Sequence, residues 1–247
     1  MQICSDLSVP HVIDSNLIPF VDSPKKGVQR RMLDRTGDEV ARATTIVKFD
    51  PFVKFPRHNH EGGEEFVMLE GRLFDDLSGE HNPLTYCRHG MGTLHEPWTT
   101  EEGAILLVKL RQMNDLTEAP ITMIDTETSN DWKKDLDTKR ERLDLFSNTK
   151  TGECVWMEKL EAGFQSDNWV VGQGGEEIFV LKGDMSFENM DGTDDENNKN
   201  NCTKGFWIRR PTDWAGRKFK VTSENGCQLF MKTGHLAMEL NDLPTIF

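Results

Sequence analysis

The chain says the same thing twice. Residues 62–71 read G-G-E-E-F-V-M-L-E-G, and 174–183 read G-G-E-E-I-F-V-L-K-G. Downstream, E-E-G-A-I-L-L-V-K at 101–109 returns as E-N-G-C-Q-L-F-M-K at 224–232. Upstream, the turn Thr36-Gly37-Asp38 returns as Thr151-Gly152-Glu153. A duplication of this kind means that one structural unit is built twice from one chain. Helical periodicity is scarce, and turn signals recur about every 8–12 residues, the pattern of small β-barrels or sandwiches. The expected fold is therefore all-β, with two tandem barrels.

The copies differ where chemistry is concerned. In the first, P-R-H-N-H-E-G-G-E-E precedes the repeated strand. His58 and His60 are two residues apart, which in an extended strand puts both imidazoles on one face. Gly62-Gly63 allows a tight turn, and Glu64 then opens the next strand close to the two rings. Two imidazoles and a carboxylate suit a divalent metal with nitrogen and oxygen ligands. The remaining ligand is expected from His95, at the end of the glycine-led run G-M-G-T-L-H. Glu64 has two readings here: a direct ligand, or an acceptor that orients an imidazole. In the second copy the offset places Val170 and Gly172 where His58 and His60 stand, and Ala215-Gly216-Arg217-Lys218 lies near the place of His95. Glu176 alone survives there, so the second barrel is expected to be structural or a metal-free pocket.

H-x-H, then three residues, Glu, six residues and Gly is the first motif of the cupin family, matched by His58, His60, Glu64 and Gly71. Gly92 and His95 match the second motif, with Gly90 at its proline position. The wording around both resembles the ChrR-like branch, which includes anti-sigma factors and relatives of acetylacetone-cleaving dioxygenases. The resemblance implies two double-stranded β-helix (jelly-roll) barrels. It also implies one divalent transition metal per chain, Fe(II) favoured, with Zn, Ni, Mn or Co as alternatives. The implied activity is that of a small-molecule dioxygenase acting on a carbonyl or diketone-like substrate. The alternative is a metal- or ligand-binding sensor like the cupin half of ChrR-type anti-sigma factors. Those carry an N-terminal zinc-binding helical domain, whose His/Cys ligands and length the residues before Val28 lack.

The segments expected are an N-terminal arm (1–27), a metal-binding barrel (28–112), a linker with a short helix (113–140) and the second barrel (141–247). The polar run at 191–201 is expected to be a mobile loop. Phe66 and Met68 share the face of Glu64 and should point inward, whereas Val67 and Leu69 face outward and need a cover. Tyr86 and Arg88 share one face of a strand leading into the second motif. They are candidates to anchor a substrate beside the metal; the alternative is a rim ion pair with a packed ring. His11, His81, His89 and His235 have no partner at ligand spacing and are expected at the surface or in loops. His89, six residues from His95, is the one within reach of the pocket mouth.

A net charge of −13 over 247 residues argues against nucleic acid as a partner, since binding it draws most of its affinity from basic patches. No run approaches the ~20 apolar residues of a spanning helix, and the N-terminus lacks the basic and apolar regions of a signal peptide. Five scattered cysteines with no C-x-x-C are read as reduced thiols of a cytoplasmic protein. The expected partners are a small-molecule substrate and, through paired outer sheet faces, a second copy in a homodimer.

Overall fold

The computed structural model describes residues 1–190 and 199–238. Its regular structure is strand, with three short 3-10 turns, and it forms two compact units. The first comprises residues 1–5 and 18–129, the second 6–17 and 130–238. Both are antiparallel, as expected of barrels that turn every few residues.

In the first unit the sheet runs in the order Gln2–Ile3, Val28–Gly37, Ala41–Phe49, Pro97–Leu110, Glu64–Asp75, Thr85–His89 and Ile121–Asp125. A separate pair, His58–His60 with Thr93–His95, carries the histidines. The order in the second unit follows the same plan: Lys133–Asp135, Arg140–Asn148, Glu153–Leu160, Cys227–Thr233, Glu176–Asn189, Phe206–Arg210 and His11–Asp14. The repeated strand thus holds the same place in each unit. Its shared glycine has a steric cause. Gly71 has φ +71 and Gly183 φ +76, and a Cβ there would lie 2.2 Å from the Gly103 carbonyl oxygen and 1.9 Å from that of Gly226, respectively. No other residue fits backbones that close.

Strand alternation sorts the first core. Phe66 and Met68 point inward and pack with Val28, Phe49, Leu106 and Val108. Val67, on the opposite face, is also fully withdrawn from water, and Leu69 is half-buried. The second core gathers Trp156, Trp169, Phe164, Ile178 and Phe219, with Trp214 packed against it.

Two sequence expectations need correction. The arm 1–27 is not one piece: His11–Asp14 pairs with Phe206–Arg210 and belongs to the second unit. The 113–140 stretch has no helix. Ile121–Asp125 pairs with Thr85–His89, and Lys133–Asp135 with Arg140–Asn148. Both are strands of only three to five residues at sheet edges, too short for alternation to be read as a signal. Of the polar run 191–201, residues 199–201 open the strand Lys199–Thr203; 191–198, like 239–247, lie outside the described residues. No helix among the described residues is long and apolar enough to cross a membrane. None of the five cysteines forms a disulfide, and burial pushes the Cys202 and Cys227 thiols up to about 12.

Candidate metal centre

Register, more than spacing, builds the site. His58–His60 pairs antiparallel with Thr93–His95 so that His95 stands opposite His58 and Thr93 opposite His60. A residue's cross-strand partner and its own neighbour two positions along point to the same side, so His58, His60 and His95 all face inward. The turn before Thr93 is tight: Gly92 has φ +81 and its N–H donates to the His60 carbonyl at 2.8 Å. His60 Nε2 lies 2.7 Å from His95 Nε2, and His95 Nε2 lies 3.2 Å from His58 Nε2. Glu64 Oε2 is 3.3 Å from His60 Nε2 and 3.6 Å from His95 Nε2. Donors held about 2.1 Å from one octahedral ion are about 3.0 Å apart along each edge. The three imidazoles therefore fit a divalent metal: among the described residues His58, His60 and His95 form one grouping of ligand atoms close enough to share it, with Glu64 within reach of His60 and His95.

The rings are prepared as ligands. Burial pushes His60 down to about 4 and lowers His58, so both are neutral at pH 7 with a lone pair available. Glu64 stays ionised: burial opposes the charge, but the imidazoles of His60, His89 and His95 outweigh it. The rear nitrogens are held. His58 Nδ1 donates to the Pro56 carbonyl at 2.9 Å, and Asp75 Oδ2 takes a short hydrogen bond from His95 Nδ1. A carboxylate behind an imidazole fixes its tautomer and leaves Nε2 as the ligand atom.

The ligands open onto a cavity of about 410 Å³ whose apolar wall includes Val47, Phe49, Phe55, Leu106 and Val108. Two cations also line it. Arg111 pairs with Glu61 at 3.0 Å and Arg30 with Glu39 at 3.3 Å. Tyr86 and Arg88 do not line it. On Thr85–His89 it is Cys87 that packs into the first core, so alternation turns Tyr86 and Arg88 to the other face. There Tyr86 Oη donates to Glu65 at 3.0 Å, and Arg88 is clamped by Glu65 at 3.4 Å and Glu118 at 2.9 Å. The substrate-anchor reading of both residues is corrected by this geometry: they form a buried ion-pair network.

The expectation of surface histidines is corrected too. His81, His89 and His235 are buried. His89 stands directly opposite Glu64 across the sheet, its Nδ1 3.6 Å from Glu64 Oε2. Its Nε2 contacts Ser78 Oγ at 3.0 Å and Cys87 Sγ at 3.4 Å. Despite burial, Cys87 and Glu64 push it up to about 10. Linear spacing does not reveal this neighbour of Glu64; the strand register does.

In the second unit the corresponding pair across the sheet is Glu176 and Arg210. They form a buried ion pair, and the Arg210 guanidinium lies 3.9 Å over the Phe219 ring and 4.6 Å over that of Phe187. An arginine side chain occupies the position that His89 has in the first unit, and both groupings of metal-ligand atoms found among the described residues are in the first unit.

A barrel that pairs an H-x-H strand with the strand of its last histidine, and sets a glutamate beside them, has the arrangement of a cupin barrel; the second unit keeps the same sheet order without the histidines, so the fold is two tandem cupin barrels. Residues 8–114 match the family model of the ChrR cupin-like domain. Three solved structures share the fold across both barrels. A candidate dioxygenase from Nostoc punctiforme PCC 73102 is 15% identical over 91% of this chain and 82% of its own, with a TM-score of 0.69. Salicylate 1,2-dioxygenase from Pseudaminobacter salicylatoxidans is 11% identical over 96% and 87%, with a TM-score of 0.65. A cupin 2 conserved barrel domain protein from Leptotrichia buccalis is 10% identical over 90% and 95%, with a TM-score of 0.59. Identities this low show the fold alone. No curated protein sequence matches the chain.

Proposed function

We propose that the first barrel is a mononuclear metal centre, Fe(II) favoured, and that the chain is a dioxygenase acting on a small carbonyl or diketone-like molecule. One observation carries this reading: three imidazole Nε2 atoms and a carboxylate converge at an apolar cavity. His58, His60, His95 and Glu64 would hold the ion. When bound, it would supply Lewis-acid polarisation and dioxygen chemistry. Asp75 keeps His95 aimed, and the Val47, Phe49 and Val108 wall excludes water from the reacting carbons. Arg30 and Arg111 are the cations available to an enolate or carboxylate in the cavity. The resemblance to diketone-cleaving relatives and the dioxygenases among the similar structures support the reaction class.

The test is anaerobic reconstitution with Fe(II), followed by oxygen-uptake assays over β-diketones and aromatic hydroxy acids. Uptake matched to substrate loss, and abolished by His60→Ala, is the expected result. A fully loaded protein that consumes no oxygen with any of them would overturn the reading. It would favour the sensor suggested by the ChrR cupin-like match.

A further inference from the structure

The standard four ligands leave one nitrogen of the cluster unexplained. His89 is fully buried, and its Nδ1 has no hydrogen-bond partner. Its Nε2 is taken by Ser78 Oγ at 3.0 Å, so Nδ1 is the ring nitrogen turned to the cluster, and an ion bound there displaces the Nδ1 proton. It lies 3.6 Å from Glu64 Oε2, and Glu64 Oε2 lies 3.6 Å from His95 Nε2. Donors about 2.1 Å from a tetrahedral ion are about 3.4 Å apart. The three atoms therefore form a second grouping able to share an ion, and its only member in common with the first grouping is His95. We propose that Glu64, His89 and His95 form an inner seat for the metal, overlapping the outer seat of His58, His60 and His95, so that one ion has two binding positions.

The inference rests on reading the cluster as a metal centre. The second barrel provides independent support. It keeps the glutamate and sets Arg210, a fixed cation, across the sheet from it. The first barrel sets an imidazole at that register position, and an imidazole can offer a lone pair where a guanidinium cannot.

A double-mutant cycle in Co(II) affinity and visible absorption tests this, with His58→Ala, His89→Asn and the pair together. His58 is half-buried, lies on the separate two-stranded pair and is not a member of the apolar core, so its truncation is expected to leave the fold standing. If His89→Asn fails to fold by thermal unfolding, His89→Gln takes its place. With an inner seat, His58→Ala still binds one Co(II) with an altered visible spectrum. His89→Asn then costs at least about tenfold more affinity in the His58→Ala background than in the wild type, the non-additivity expected of coupled residues. An equal cost in both backgrounds would show that His89 only orients Glu64, and a His58→Ala protein that binds no Co(II) would show that no inner seat exists. Either result overturns the inference. Oxygen uptake is not part of the readout, so a chain with two seats and no turnover would sink the proposed reaction alone.

Discussion

Asp75 reaches the rear nitrogen of His95 while its other oxygen accepts from the backbone N–H groups of Leu77 at 2.6 Å and Ser78 at 3.2 Å. Those backbone bonds hold the carboxylate still, and the carboxylate in turn holds the ring. Asp75→Asn should keep the fold and lower metal affinity by about 10–100-fold, the usual cost of losing such a partner; competition against a chromophoric chelator measures it. The titrating histidines make a second prediction, for protein kept metal-free with chelator. Burial pushes His60 and His81 down to about 4 from an ordinary 6.5. The unfolded chain therefore binds more protons, and stability falls as pH drops from 6.5 towards 4, by at most about 1.4 kcal/mol per pH unit for each group. His89, raised to about 10, works in the opposite sense: its stabilisation is complete below 6.5 and is lost as pH rises towards 10. Thermal unfolding should therefore peak near pH 6.5, and a midpoint that climbs steadily from pH 7 to pH 4.5 would contradict the assignment.

At the scale of single elements, the repeated strand shows how one framework was kept while its content diverged. Glu64–Asp75 and Glu176–Asn189 begin with the same two glutamates, and the first of each faces a different partner: His89 in one barrel, Arg210 in the other. A buried ion pair is costly to break from one side, because the surviving charge has nowhere to go. Glu176→Ala should cost about 3–5 kcal/mol, and Glu176→Met with Arg210→Met should recover most of it. Urea unfolding of the three proteins checks both halves. The same element explains what the sequence could and could not disclose. Its glycines, its alternation and the H-x-H before it were legible because each is a local pattern. His89 was not, since its proximity to Glu64 comes from which residues pair across two strands. Tyr86 and Arg88 were correctly placed on one face, but nothing local says whether that face looks into the barrel.

Taken whole, the molecule was legible as a duplication, and the confinement of both candidate ligand groupings to the first barrel followed from the H-x-H and His95 that the second copy lacks. The edges of the sheets were not legible. His11–Asp14 and Ile121–Asp125 are only four and five residues long, and each closes a sheet by pairing with the strand that holds a key residue, Arg210 in one case and His89 in the other. The exchange is reciprocal in chain order. The segment ahead of the first barrel's core completes the second unit, and the segment ahead of the second barrel's core completes the first. A polypeptide starting at Asn130 would therefore leave Phe206–Arg210 with a bare row of amides and carbonyls, an invitation to pair with a stranger. The two halves arose by copying, yet neither can now be inherited, excised or transplanted without taking part of the other.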